Sequence, residues 1–237
     1  PDWDAIDIPA YFGERRFSNT RPGRYMTLFT SRSCPYNCIY CHNIFGKGFR
    51  ARSAPKVIEE MKTVNDSFGI NEFEIVDDTF NLNRNRVIEI CDSIISSGIK
   101  MKLHFPNALR SDLLDEEIAR KLKAAGTVQA TVAIETGAPR LQKLIRKNLN
   151  TDRAREAIRL LTGAGILTHG FFMLGFPTET EEEMKQTVNF ALQSRLHTAS
   201  FFIVKPAPGT ELYDMLAPRP SQETDYKSYS YQSFGLT

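Results

Sequence analysis

Three cysteines fall within eight residues, Cys34-Pro35-Tyr36-Asn37-Cys38-Ile39-Tyr40-Cys41, with three residues and then two between them. A chain of 237 residues with only four cysteines has too few for a disulfide framework, so thiols crowded into one loop point to a metal site. A structural zinc site usually draws four ligands from two Cys-x-x-Cys-type pairs, and only Cys38 and Cys41 form such a pair. Three thiolates from one loop can instead grip three irons of a four-iron cluster and leave the fourth iron open as a binding site. His42 adjoins the loop as a candidate fourth ligand that would close the site as a zinc or electron-transfer centre, although the chain would have to double back within one residue. Cys91 falls on the apolar face of a helical pattern, where a free Cys is most often a small core residue.

Elements that could position this loop surround it in a regular order. Short β-branched or aromatic runs at 25–31, 72–77, 101–106, 128–134, 167–174 and 199–205 alternate with segments of helical period. The helical segments are 55–68, 84–97, 115–125, 139–147 with 152–164, 179–194 and 210–216. Val57, Ile58, Met61, Val64 and Phe68 share one face of the first, and Val87, Ile88, Cys91, Ile94 and Ile95 share one face of the second. Six such units wound one way predict an α/β fold, a partial (β/α)6 TIM-like barrel with parallel strands. Chemistry in such a fold belongs at the C-terminal strand ends, and the cysteine loop directly follows the first strand. Three regions are expected: an N-terminal linker or extension over 1–24, a core domain over 25–216 and an irregular tail over 217–237.

With 30 basic and 28 acidic residues the net charge is +2, which gives no push toward nucleic acid or a membrane surface. No apolar run approaches the ~20 residues of a spanning helix, and Pro1-Asp2-Trp3-Asp4 has none of the character of a signal peptide. A cytoplasmic protein is expected, and the linker-like start reads as a domain cut from a longer chain.

From the cysteine motif and the strand ends, the sequence resembles the radical S-adenosylmethionine (SAM) enzymes from residue 25 to about 216. The resemblance implies that Cys34, Cys38 and Cys41 hold a catalytic [4Fe-4S] cluster whose open iron binds SAM, with Tyr40 as the aromatic residue before the last cysteine. An electron from the cluster then breaks a carbon–sulfur bond of SAM, and the 5′-deoxyadenosyl radical abstracts hydrogen from a substrate. Asp77 and Asp78 stand where the family often carries a Gly-Gly-Glu segment that meets the methionyl amine. Asn107 follows the third expected strand. Glu135-Thr136-Gly137 looks like a SAM-contacting Glu-Ser-Gly segment, and a lone carboxylate at the end of a buried strand needs a partner. Lys147, with Arg146 as substitute, matches a position that can meet the methionine carboxylate. Met173, in Gly170–Thr180, would pack on adenine. Lys205 stands at the barrel mouth.

Thr30-Ser31-Arg32-Ser33, Val76-Asp77-Asp78-Thr79-Phe80 and the Pro208-Gly209-Thr210-Glu211 turn resemble the branch in which a cobalamin-binding domain precedes the core. That branch includes the anaerobic magnesium-protoporphyrin ester cyclase and many radical methyltransferases. It implies methylation or oxidative cyclisation of an organic substrate, a low-potential donor such as flavodoxin or ferredoxin, and cobalamin held outside these residues. Two other readings are RNA modification of the methylthiotransferase kind, suggested by Lys47, Phe49, Arg50 and Arg52, and an iron–sulfur electron-transfer module without SAM chemistry.

Overall fold

Repeated strand–helix units make a parallel sheet because each crossover helix packs back on the strands it connects. The computed structural model describes residues 3–11, 24–42 and 44–216. After a 3-10 turn at Trp3–Ala5 and a one-turn helix α1 (Ile8–Tyr11), the chain runs through β1 (Met26–Leu28), β2 (Ser31–Arg32), β3 (Arg50–Ala51) and α2 (Ala54–Phe68). There follow β4 (Glu72–Ile75), α3 (Arg84–Ser96), β5 (Lys102–Leu109), α4 (Glu116–Ala124) and β6 (Thr127–Glu135). The last elements are α5 (Pro139–Leu144), α6 (Thr151–Gly163), β7 (Leu167–Leu174), α7 (Glu181–Gln193), β8 (Thr198–Ile203) and α8 (Glu211–Leu216).

Six strands form one parallel sheet in the order β1-β4-β5-β6-β7-β8, which leaves β1 and β8 as its edges. This is the expected partial barrel. The main core lies between the sheet and its helices, where Phe73, Phe105, Phe172 and Phe190 are among the largest fully buried side chains. Each contributes roughly 1.5–3 kcal/mol by leaving water. Phe172 of β7 meets Phe190 of α7 with ring centroids 6.1 Å apart, so alternation along the strand leaves His169, Phe171 and Met173 half-buried on the other face. In α3 the buried stripe is Val87, Ile90, Cys91 and Ile94, whereas Ile95, expected inward, is 44% exposed. Trp3 and Ile8 pack against the main core, and the expected tail over 217–237 lies outside the described residues. Among the described residues no helix is long and apolar enough to cross a membrane.

Several boundaries differ from expectation, each for a local reason. The first run stops at Leu28, because Ser31–Arg32 leaves the sheet to pair antiparallel with Arg50–Ala51. Strand β4 ends at Ile75, so Asp77 and Asp78 stand in the loop beyond it. Strand β5 continues through Pro106 to Leu109, which puts Asn107 inside the strand. The ladder with β6 is irregular between Phe105 and Leu109, which accommodates a proline without a donor. Helix α5 stops at Leu144, and Arg146 and Asn148 then adopt left-handed φ of 54° and 51°.

Left-handed glycines follow several helices, and two of them separate conformational strain from steric clash. Gly69 has φ 66° with nothing within 4 Å of an added Cβ, whereas at Gly126, φ 94°, that Cβ would lie 2.0 Å from the Met101 carbonyl oxygen. Gly69→Ala should therefore cost about 1–2 kcal/mol, the strain alone. Gly126→Ala should cost more than about 3 kcal/mol, since backbone must also move. Urea midpoints of the two variants check the difference.

Candidate active site at the barrel mouth

The cysteine loop is held at its middle. Ile39, between Cys38 and Cys41, is 3% exposed and packs with Ala138, Leu141, Ile145, Phe176 and Leu212 in a second apolar cluster separate from the main core. Its backbone is clamped on both sides: N–H donates to the Ile145 carbonyl at 3.2 Å, and C=O accepts from Leu212 N–H at 2.8 Å. Cys41 N–H turns back to the Cys38 carbonyl at 3.2 Å. As a result all three cysteine side chains line one cavity of about 100 Å³, together with Ser33, Phe45, Lys47 and Asp78.

This donor set fits an iron–sulfur cluster. Three thiols share the wall, and His42, the candidate fourth ligand, also lines it although it is exposed. Burial pushes the Cys38 thiol up, against the pull of Lys147, and pushes Cys41 up to about 11, with Cys38 and Cys34 adding to it. Metal loading at such thiols displaces protons.

The two aspartates divide. Asp77 is 1% exposed, and its carboxylate accepts from Thr30 N–H at 2.6 Å, Thr30 Oγ1 at 2.5 Å and Ser31 Oγ at 2.6 Å. It is committed to fixing the chain just before the cysteines, which is also why β1 ends early. Asp78 alone lines the cysteine cavity, half-buried, and accepts from Ser33 N–H at 2.8 Å.

Glu135 finds the partner that its burial demands. Its Oε1 accepts from Lys147 Nζ at 2.8 Å and from Tyr40 Oη at 3.1 Å, and Glu135 and Lys147 side chains are each 10% exposed. The sequence pairs brought together here are Tyr40, Glu135 and Lys147. Burial, reinforced by the neighbouring Glu135 carboxylate, drives the Tyr40 phenol well up, so it remains a neutral donor. Glu135 follows a register shift in β6 and holds a left-handed φ of 66°. The following turn presses on α7: a Cβ at Gly137 would lie 2.8 Å from the Gln186 carbonyl oxygen.

The other expected residues are more dispersed. Asn107 is exposed and its Nδ2 reaches the Val76 carbonyl at 2.8 Å, bridging the ends of β5 and β4. Met173 packs half-buried against the Ile39 cluster. Arg146 points elsewhere, into a two-bond fork with Glu211, both at 2.7 Å. Lys205 is half-buried beyond the end of β8.

Two positioning elements escaped the sequence reading. The Arg110 guanidinium carbon lies 3.8 Å from the Tyr36 ring centroid, and its Nη2 donates to the Lys147 carbonyl at 3.0 Å, so one side chain braces the cysteine loop and the Lys147 turn. Its signal was a basic residue right at a strand end, with Asp112 two residues on as its ion-pair partner. Arg140 forms a fork on Glu183, 2.7 Å to each oxygen, and tethers the turn after β7 through Thr178.

Removing one partner of a buried pair exposes its whole desolvation cost. Lys147→Met should therefore lower unfolding free energy by about 3–5 kcal/mol, and adding Glu135→Gln should recover most of that loss in urea titrations at pH 7. Hydrogen bonds from Arg140, with Thr180 N–H adding, hold the Glu183 carboxyl down to about 2 from an ordinary 4.5. A depressed carboxyl stabilises the fold above its unfolded pKa and loses that contribution as pH falls through the folded one. Stability should thus decline between pH 4.5 and 2, and Glu183→Gln should flatten that part of the profile in thermal melts.

Comparison with known proteins agrees with this geometry. The profile of the radical SAM superfamily matches residues 28–191. Over 223 residues the chain is 31% identical to the cytidylyl-2-hydroxyethylphosphonate methyltransferase of Streptomyces wedmorensis, covering 90% of this chain and 41% of that protein. It is 27% identical over 234 residues to the anaerobic magnesium-protoporphyrin IX monomethyl ester cyclase of Cereibacter sphaeroides, covering 98% and 37%. The fold is similar to that of the radical SAM methyltransferase TsrM from Kitasatospora setae, with a TM-score of 0.72 at 22% identity over 80% of this chain and 38% of that one. The chain spans about two fifths of the length of these relatives. It belongs to the radical SAM superfamily.

Proposed function

We propose that this chain is the core domain of a cobalamin-associated radical SAM enzyme that methylates or oxidatively cyclises an organic substrate. The observation that carries the reading is the placement of three cysteine thiols on one cavity at the strand ends, with Tyr40, Glu135 and Lys147 gathered at the same barrel mouth. Both outcomes have support among the relatives, one named as a methyltransferase and one as a cyclase. The TsrM structure contains cobalamin and a [4Fe-4S] cluster, which supports a cobalamin partner for the present domain.

In this reading Cys34, Cys38 and Cys41 hold the [4Fe-4S] cluster. When bound, it supplies the electron that cleaves SAM into methionine and a 5′-deoxyadenosyl radical, which calls for the low end of the range of cluster potentials. The chain's own residues bind and orient. Lys147 offers its ammonium to the methionine carboxylate, and Asp78 offers its carboxylate to the amine. The Glu135–Lys147 pair suits a zwitterion, because an amino-acid head can enter between the charges without burying net charge. Tyr40 holds Glu135 in place by its hydroxyl. Asn107 and Met173 supply a polar and an apolar contact from neighbouring strands, Met173 toward the adenine. A low-potential carrier, flavodoxin or ferredoxin, delivers the electron, and the cytoplasm is the compartment that keeps such thiols reduced.

The test is anaerobic reconstitution with iron and sulfide, then dithionite and SAM, with chromatography for 5′-deoxyadenosine. The nucleoside should appear with the native cysteines and vanish in the Cys34→Ala, Cys38→Ala, Cys41→Ala variant. A cluster that forms in the full-length protein yet neither binds nor cleaves SAM would instead identify an electron-transfer centre.

A further inference from the structure

The basic and aromatic residues that follow the cysteines form a built surface next to the cluster cavity. Phe45 and Lys47 line the cavity, and the chain then enters β3, which pairs with β2. On this small two-stranded unit the Arg32 guanidinium carbon lies 5.7 Å from the ring centroids of both Phe29 and Phe45. Those rings meet edge to face at 6.3 Å. Arg50 Nη2 donates to the Phe45 carbonyl at 3.3 Å. Phe29 is 40% exposed and Ile44 is 73% exposed, so apolar surface lies open between the cations.

Among the described residues the charge of this surface is uncompensated. Arg52 is neutralised by Glu60, but among the described residues no carboxylate pairs with Arg32, Lys47 or Arg50. Asp78, the acidic residue on the cavity wall, is turned to Ser33 N–H. An arginine braced on two aromatic rings, with two further cations and exposed apolar groups beside it, has the composition of an interface rather than of a solvated face. Phe45 belongs both to the cavity wall and to this surface, so whatever docks here is brought to the cysteines.

We propose that this face is the docking site for a small acidic protein carrying a low-potential one-electron centre. The inference rests on the reading of the cysteine loop as a cluster site. The exchange is of one electron: the carrier is oxidised by one, the cluster is reduced by one, and no bond forms or breaks. Redox encounters of this kind use small interfaces guided by charge, and three fixed cations beside an apolar patch suit one. RNA would also be drawn to cations, but the chain's net charge is only +2, and Arg32 and Arg50, which line a neighbouring cavity with Glu60, are joined to the cysteine cavity only through Phe45 and Lys47.

The experiment uses the reconstituted full-length protein, a bacterial flavodoxin as the probe, and an Arg32→Glu, Arg50→Glu variant with Arg32→Gln, Arg50→Gln as a gentler second. Lys47 is left alone because it also donates to the Tyr36 carbonyl within the cysteine loop. Calorimetry of flavodoxin binding at 50 and 300 mM salt should show a tenfold or greater weakening of the native protein by salt. At 50 mM the charge reversal should weaken binding tenfold or more, with the glutamine variant between. Stopped-flow reduction of the cluster by flavodoxin should slow in parallel, while dithionite-driven SAM cleavage stays within twofold of native. Flavodoxin affinity that ignores both salt and charge reversal overturns the proposal, as does binding of a single-stranded RNA oligomer in place of flavodoxin. Loss of dithionite-driven cleavage in the native protein would strike at the enzymatic reading instead, and the affinity measurements would still decide the docking face.

Discussion

The site depends on one clamp: the backbone of Ile39, fixed between the Ile145 carbonyl and the Leu212 N–H. A loop with cysteines at its start, middle and end has too much freedom to present three sulfurs together unless something near its centre is immobilised. Ile39 does this with an apolar side chain below and two hydrogen bonds beside it. The clamp draws its partners from far along the chain, from the turn after α5 and from the start of α8, so the loop's shape is a product of the finished fold. Asp77 performs the matching task upstream by binding Thr30 and Ser31. Between these two anchors the cysteines have little choice of position.

The architecture was legible because strand and helix periods agreed with their punctuation. All six strands and the seven helical segments expected between and after them exist, with ends displaced by at most three residues, and the chemistry-bearing loop stands where the fold class puts it. What escaped the sequence has a common cause. Asp77 and Asp78 are adjacent and chemically identical, yet one is spent inside and the other faces the cavity, a difference set by which backbone donors lie near. Asn107 was expected just beyond the run at 101–106 but lies inside β5, which continues to Leu109 through the irregular ladder with β6. Arg110 reads as an ordinary turn residue until Tyr36, more than seventy positions away, is folded beneath it.

Charge is arranged in two regimes. Inside the mouth, Lys147 and Glu135 cancel each other at 10% exposure, and that balance is demanding because either charge alone would be costly there. At the rim and outside, Arg32, Lys47 and Arg50 have no carboxylate partner among the described residues, and the exposed Arg32 and Arg50 stand in water where their charge is tolerated and felt at a distance. A near-neutral total thus hides a strongly uneven distribution, the property that composition averages away. The same loop connects the regimes, its cysteines on the cavity and its later residues on the surface.

The apolar cluster under the cysteine loop shares no residue with the main core between sheet and helices. Two cores in one domain mean two ceilings on local opening, since a small cluster can come apart at a free energy below that of global unfolding. Amide exchange in the Ile39 and Leu212 region would then run ahead of exchange in the strands, even though all belong to one barrel. The separation also means that the mouth can loosen while the strands stay assembled, so the cysteine loop can open to solvent without the barrel coming apart.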